Sequence, residues 1–241
     1  MMSKTKITVI TMGHMPAEFN RQKVKNWASS IFEIIDEIES YALSKDSDGE
    51  SWEFSDDLFE NLLPNAFNGD FLIAIVNVPL ELNWYSRRLS GNRVLFTFHD
   101  IKEMLKQSNI PIENIIFRLL YSYTLLYKRS GNRIPSVHEN TNFTHDETRG
   151  CLFDMNGIKT DVIYSCHNPI ICEECVARLK QERVSNEVIS NSQNEIKGIQ
   201  KILFYRIADY IKQHPLRSLA ISSIAAVLLN MIASCIYDAI K

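Results

Sequence analysis

Residues 145–175 read H-D-E-T-R-G-C-L-F-D-M-N-G-I-K-T-D-V-I-Y-S-C-H-N-P-I-I-C-E-E-C. Cys172 and Cys175 form a C-x-x-C pair, a spacing that supplies two zinc ligands from one tight turn. Cys151 precedes Cys172 by 21 residues and His145 precedes Cys151 by six. The first choice of ligands is therefore Cys151, Cys172, Cys175 and His145. Asp146, Cys166 and His167 are alternates for the fourth place. Val162–Tyr164 reads as a strand that carries the chain back from Cys151 to the pair. Four readings stand open: structural zinc, a catalytic metal, a redox C-x-x-C, and core thiols without a ligand. Two glutamates between the thiols oppose thiolate formation and weaken the redox reading.

Upstream, the order of elements is mixed α/β. Ile7–Thr11 reads as a first strand, and nothing in M-M-S-K-T-K-I-T-V-I has the long apolar run of a signal peptide. Cysteines in a chain that is not exported suit metal or catalysis better than disulfides. From Arg21 to Leu43, apolar residues at Val24, Trp27, Ile31, Ile34, Ile35, Ile38 and Ala42 predict one long helix. Trp52–Leu62 reads as a short helix. F-L-I-A-I-V-N-V at 71–78 reads as a buried central strand, and Val94–Phe98 as another after the S-G-N turn. Residues 101–106 and 111–128 read as helices, the second apolar on most faces and hence buried.

The Cys/His pattern resembles that of the archaemetzincins, metzincin-like metallopeptidases whose motif runs H-E-x-x-H-x-x-G-x-x-H-C-x4-C-x-M and later C-x-x-C. H-D-E-T-R-G-C-L-F at 145–153 matches its downstream half, with His145 at the third histidine and Cys151 at the second cysteine. Asp146 stands where the first cysteine would be and Phe153 where the methionine would be. The catalytic half departs. On the register that matches Thr124-Leu125 in the helix at 111–128, Leu119 and Tyr123 replace two histidines, and Leu120 replaces the glutamate. The resemblance implies a metzincin-like mixed sheet with helices and a zinc knuckle, without peptidase chemistry.

The weak catalytic candidates are His138 and Glu139, with Glu139 as base; His99-Asp100 is a further His–acid pair. Arg87 and Arg88 read as a solvated basic edge, and the two G-N-R stretches as turns. No P-loop, G-x-G-x-x-G or nucleophile elbow occurs. A formal charge of -3 argues against nucleic acid as a partner.

At the other end, residues 219–237 hold no formal charge. They extend about 28 Å as a helix, close to the thickness of a bilayer's hydrocarbon core. Lys212, His214 and Arg217 precede them, so the positive-inside tendency predicts a single-pass anchor with the large domain on the cytoplasmic side. Ser222, Ser223, Asn230 and Ser234 suit helix–helix contact in a bilayer and a homo-oligomer formed through it. Cys235 in this segment reads as inert. The expected layout is a zinc-knuckle domain over 1–180, a helical linker with an amphipathic helix over 181–215, and an anchor over 216–241. The expected partners are the lipid bilayer and a protein yet to be identified. The leading functional reading is a membrane-anchored, non-catalytic sensor, adaptor or effector. The alternatives are an active metal-dependent hydrolase at the membrane surface and a membrane-acting toxin or defence effector.

Overall fold

The computed structural model describes residues 3–139, 141–145 and 148–240. It divides into two units, 1–200 and 201–241. In the first, β1 (Thr5–Met12) is followed by α1 (Arg21–Lys25), β2 (Phe32–Tyr41), α2 (Asp56–Leu62), β3 (Phe71–Val76), β4 (Ser86–Leu89) and β5 (Arg93–Thr97). Then come α3 (Ile101–Gln107), α4 (Glu113–Arg129), α5 (Val162–Ser165), α6 (Glu173–Gln181) and α7 (Asn186–Glu195). The five strands form one mixed sheet in the order β2-β1-β3-β5-β4. Only β4 runs antiparallel to its neighbour.

Strand β3 lies inside the sheet and is buried along its whole length. Its side chains alternate: Phe71, Ile73 and Ile75 join the core shared with α4, while Leu72, Ala74 and Val76 join a smaller core with Phe59 of α2. That two-sided burial is why its sequence is continuously apolar. Ser55 caps α2, its hydroxyl accepting from the Leu58 N–H at 3.0 Å. The β4–β5 turn takes positive φ at Gly91 and Asn92, as the S-G-N reading anticipates.

Residues 21–43 overturn the expected long helix. Helix stops after Lys25, and 32–41 pair with β1 as an edge strand. The register slips between Thr8 and Ile10, and Asp36 takes a positive φ of 56°. This bulge leaves Ile31, Ile34, Ile35 and Ile38 at a helix-like spacing, although Phe32, Ile34 and Ile38 are the buried residues of a strand. Two smaller expectations also fail. Val162–Tyr164 is a helical turn, α5, instead of a strand. The compact unit runs to Gln200 instead of 180, because Val188, Ile189, Ser192, Ile196 and Ile199 are buried in it.

Helix α4 is the axis of the unit. Every residue from Glu113 to Tyr127 is buried. One side meets the sheet through Phe71, Ile73, Ile75 and Phe96. The other is covered by the segment after it, and its polar side chains reach into that cover. Asn114 donates to the Cys166 and Gln200 carbonyls at 2.9 and 3.1 Å. Arg118 Nε donates to Ser165 Oγ at 2.6 Å. Tyr121 donates to Glu195 at the end of α7 at 2.8 Å, and Ser29 and Ser30 donate to the same carboxylate.

The second unit holds α8 (Leu203–Gln213) and α9 (Pro215–Ile240). Helix α8 is amphipathic, with Leu203, Phe204, Ile207, Tyr210 and Ile211 exposed. Within α9, 215–238 contains an 18-residue window with a mean hydropathy of 2.2 and no buried residues, so it is long and apolar enough to cross a membrane.

Burial pushes the Glu195 carboxyl up, but the hydrogen bonds from Ser29, Ser30 and Tyr121 outweigh it and hold the group below its usual value. A carboxylate lowered by folding stabilises above its unfolded pKa and loses that contribution as pH falls through the folded value. Glu195→Gln should therefore lower stability by about 1–3 kcal/mol at pH 7. The gap to the wild type should shrink below about pH 4 as the wild-type carboxylate protonates. Thermal melts followed by tryptophan fluorescence at pH 7 and near pH 3 check both statements.

Candidate metal centre

The site is assembled by two short backbone bridges and one helix N-terminus. His145 N donates to the Phe153 carbonyl and Met155 N to the His145 carbonyl, both at 3.0 Å, which sets His145 beside Asp154. Leu152 N donates to the Ile170 carbonyl and Ile170 N to the Gly150 carbonyl, both at 2.9 Å, which brings Cys151 beside Ile170. Gly150 permits that approach with a φ of 88°. Two residues beyond Ile170, Cys172 becomes the N-cap of α6 and accepts from the Cys175 N–H at 3.5 Å. Cys175 sits in the first turn of that helix, buried.

These contacts bring His145, Cys151, Cys172 and Cys175 together, their donor atoms all within 4.8 Å of one another. Cys151 Sγ lies 3.9 Å from Cys175 Sγ, and His145 Nε2 lies 3.4 Å from Cys151 Sγ and 3.5 Å from Cys172 Sγ. Zinc bonds of about 2.3 Å to sulfur and about 2.0–2.1 Å to nitrogen imply tetrahedral edges of about 3.8 Å between sulfurs and about 3.6 Å from nitrogen to sulfur. The three distances match those edges to within about 0.2 Å. The cluster is thus able to hold a metal ion, and three thiols with one imidazole form a donor set suited to Zn2+.

Electrostatics favour one thiolate here, that of Cys151. At the α6 N-terminus the Cys175 N–H donates to Cys172 Sγ. Glu173 and Glu174, expected to oppose ionisation, are exposed, and Glu174 is paired with Arg178 at 2.6 Å. As a bare thiol, Cys151 is lowered to about 5, chiefly by its hydrogen bond with Cys175. The backbone N–H groups of Cys172 and Phe153 and the His145 ring add to this, and burial opposes it. The same bond, together with burial and the neighbouring sulfurs, pushes Cys175 up. The two sulfurs in effect share a proton that a bound cation would displace.

The alternates lie elsewhere. Cys166 ends α5 next to α4, where burial pushes its thiol up to about 12. His167 sits beside Asn168, 3.3 Å from its amide, and is not part of the cluster. Asp146 lies outside the described residues. His138 is exposed. Glu139 is paired with Arg133 and accepts from Ser136 N at 2.9 Å. Those contacts, the Arg133 bond first, hold its carboxyl at about 2, far from what a general base needs near neutral pH. His99 and Asp100 meet each other at 3.5 Å, and Asp100 also meets Lys159 at 3.1 Å. Arg87 and Arg88 are not a solvated edge. Arg87 Nε binds Asp56 at 2.7 Å, and Arg88 is half-buried in a cleft beside α4. The sequence reading missed this cleft, whose walls come from segments far apart in the chain.

No family model and no curated protein matches the chain. Among solved structures it is similar to an archaemetzincin from Methanopyrus kandleri, at 11% identity and a TM-score of 0.41, over 74% of this chain and 95% of that one. It is also similar to an archaemetzincin from Archaeoglobus fulgidus complexed with malonate, at 12% identity and a TM-score of 0.41, over 72% of this chain and 99% of that one.

Purified protein should carry close to one zinc per chain by elemental analysis. Cys151→Ser and Cys175→Ser should lose it, whereas Cys166→Ser should keep it. At a metal concentration about a hundredfold above Kd, binding adds about 2.7 kcal/mol of stability. A chelator should therefore lower the melting temperature of the wild type and leave the two metal-free variants unmoved.

Proposed function

We propose that the chain is a membrane-anchored sensor, adaptor or effector whose zinc is a structural staple and not a catalyst. The observation that carries this reading is the composition of the cluster. Four protein donors fill a tetrahedral zinc, so no position remains for a water or a substrate carbonyl. When bound, the metal would supply Lewis acidity to its ligands only, and its contribution would be to the fold.

Helix α4 supports the same reading. The positions that the archaemetzincin motif assigns to catalysis fall on Leu119, Leu120 and Tyr123, which are 1%, 0% and 3% exposed. Side chains of that kind and burial pack a core and cannot hold a metal or activate water. The domain therefore reads as a metallopeptidase-like fold whose chemistry has been replaced by packing. The apolar α9 and the basic residues Lys212, His214 and Arg217 before its uncharged stretch favour a single-pass anchor with the large unit on the cytoplasmic side. The exposed apolar stripe of α8 suits the membrane surface or a partner helix.

Full-length protein should float with liposomes, and a chain ending at Gln200 should stay in the soluble fraction with its zinc. Zinc-loaded protein should show no peptide hydrolysis above buffer. Hydrolysis by the wild type that Glu139→Gln abolishes would instead establish the hydrolase alternative.

A further inference from the structure

Beside α4 lies a cleft of about 210 Å³, walled by β4, α4 and residues of the 137–155 segment. Arg88 and Arg118 enter it, and among the described residues neither forms an ion pair. Arg118 is only 2% exposed. It donates to Ser165 Oγ at 2.6 Å, to the Tyr85 hydroxyl at 3.3 Å and to the Asp154 carbonyl at 3.2 Å, all uncharged acceptors. Arg88 donates through Nη1 alone, to the Pro135 carbonyl at 3.2 Å and Thr141 Oγ1 at 3.1 Å. Among the described residues neither guanidinium has a carboxylate oxygen within 4.0 Å. Two guanidinium groups thus face one carboxylate in the described lining, Asp154, whose Oδ1 accepts from Asn156 N at 2.9 Å, while Glu139 outside it is paired with Arg133.

The hydroxyls of the cleft are also poised to donate. The Tyr85 oxygen accepts from both Arg118 and Asn156 Nδ2, the latter at 3.1 Å, so its own hydrogen is available. Tyr123 and Ser86 share one hydrogen bond of 2.7 Å, which uses one of their two hydrogens. Burial pushes the Tyr123 phenol up to about 12, so it keeps its proton at neutral pH. The remaining walls include Leu119, Phe143 and Leu152.

A buried cation without a counter-charge is expensive, and proteins tolerate one mainly where an anion completes it. Convergent donors inside partly apolar walls select a small oxyanion attached to an apolar body. We propose that this cleft binds a small organic oxyanion, a carboxylate or a phosphate monoester, between Arg88 and Arg118, with Tyr85 and the Tyr123–Ser86 pair as further donors. The site needs neither the membrane anchor nor a catalytic metal, so it stands apart from the functional reading above. It supplies a ligand class for a domain without chemistry of its own.

The test is calorimetric titration of the full-length, zinc-loaded protein in detergent with benzoate, phenyl phosphate and the neutral isostere benzamide. The oxyanions should bind at least ~10-fold more tightly than benzamide, since each is held by charge-assisted bonds. The tighter of the two would tell carboxylate from phosphate. Arg88→Gln, on the half-buried side of the cleft, should melt near the wild type without ligand yet bind at least ~10-fold more weakly. Tyr85→Phe should weaken binding by a smaller factor. Equal binding of benzoate and benzamide, wild-type affinity in Arg88→Gln, or no oxyanion binding up to about 10 mM would overturn the proposal.

Discussion

The burial of α4 on every side is the constraint from which the rest of the unit follows. A helix normally keeps one face in water. Here Glu113 to Tyr127 are all buried, so a second layer must cover the side away from the sheet. That cover is made of 130–200, which includes only short helices. Such a layer is too small to hold itself in place by its own apolar surface. It is instead fastened by hydrogen bonds from Asn114, Arg118 and Tyr121, and drawn together at one point by the Cys/His cluster. A metal there would add to the order that this layer gains from Leu152, Phe153, Val162, Leu179, Val188 and Ile199 in the core.

The same burial accounts for what chemistry the unit carries. Leu119, Leu120 and Tyr123 are committed to packing. Arg118, their neighbour on α4, brings a charge into the second layer and finds only neutral partners. Of the buried charged groups on α4, Glu113 is paired with Lys23, whereas Arg118 faces the cleft that Asp154 also lines. Leu152, Asp154 and Met155, which follow Cys151, line the cleft, so the cluster and the cleft share a wall. Order at one bears directly on shape at the other.

Much of this was legible from residues alone. The central strand over 71–76, the helices near 101 and 113, and the four metal donors follow from local periodicity and spacing, because each depends on neighbours close in sequence. Strand β2 was not legible. Its apolar residues fit a helical period since a bulge at Asp36 shifts the face they present, and a bulge exists only through pairing with β1. Helix α7 looked like solvated linker because most of it is polar. Four or five apolar and small residues, Val188 to Ile199, bury it against partners far upstream.

The division has a physical cause. Sequence by itself determined which residues could bind a metal, that the helix over 113–129 is apolar on most faces, and that the last helix is apolar enough for a bilayer. Those are properties of side-chain chemistry and of spacing along one chain. Tertiary structure decided that the four donors meet within 4.8 Å of one another. It also decided that Cys166 and His167 do not join them, and that Arg88 and Arg118 line one cleft with no ion pair of their own among the described residues. Those are meetings of segments tens of residues apart, set by how two layers close around one helix, and no local pattern records them.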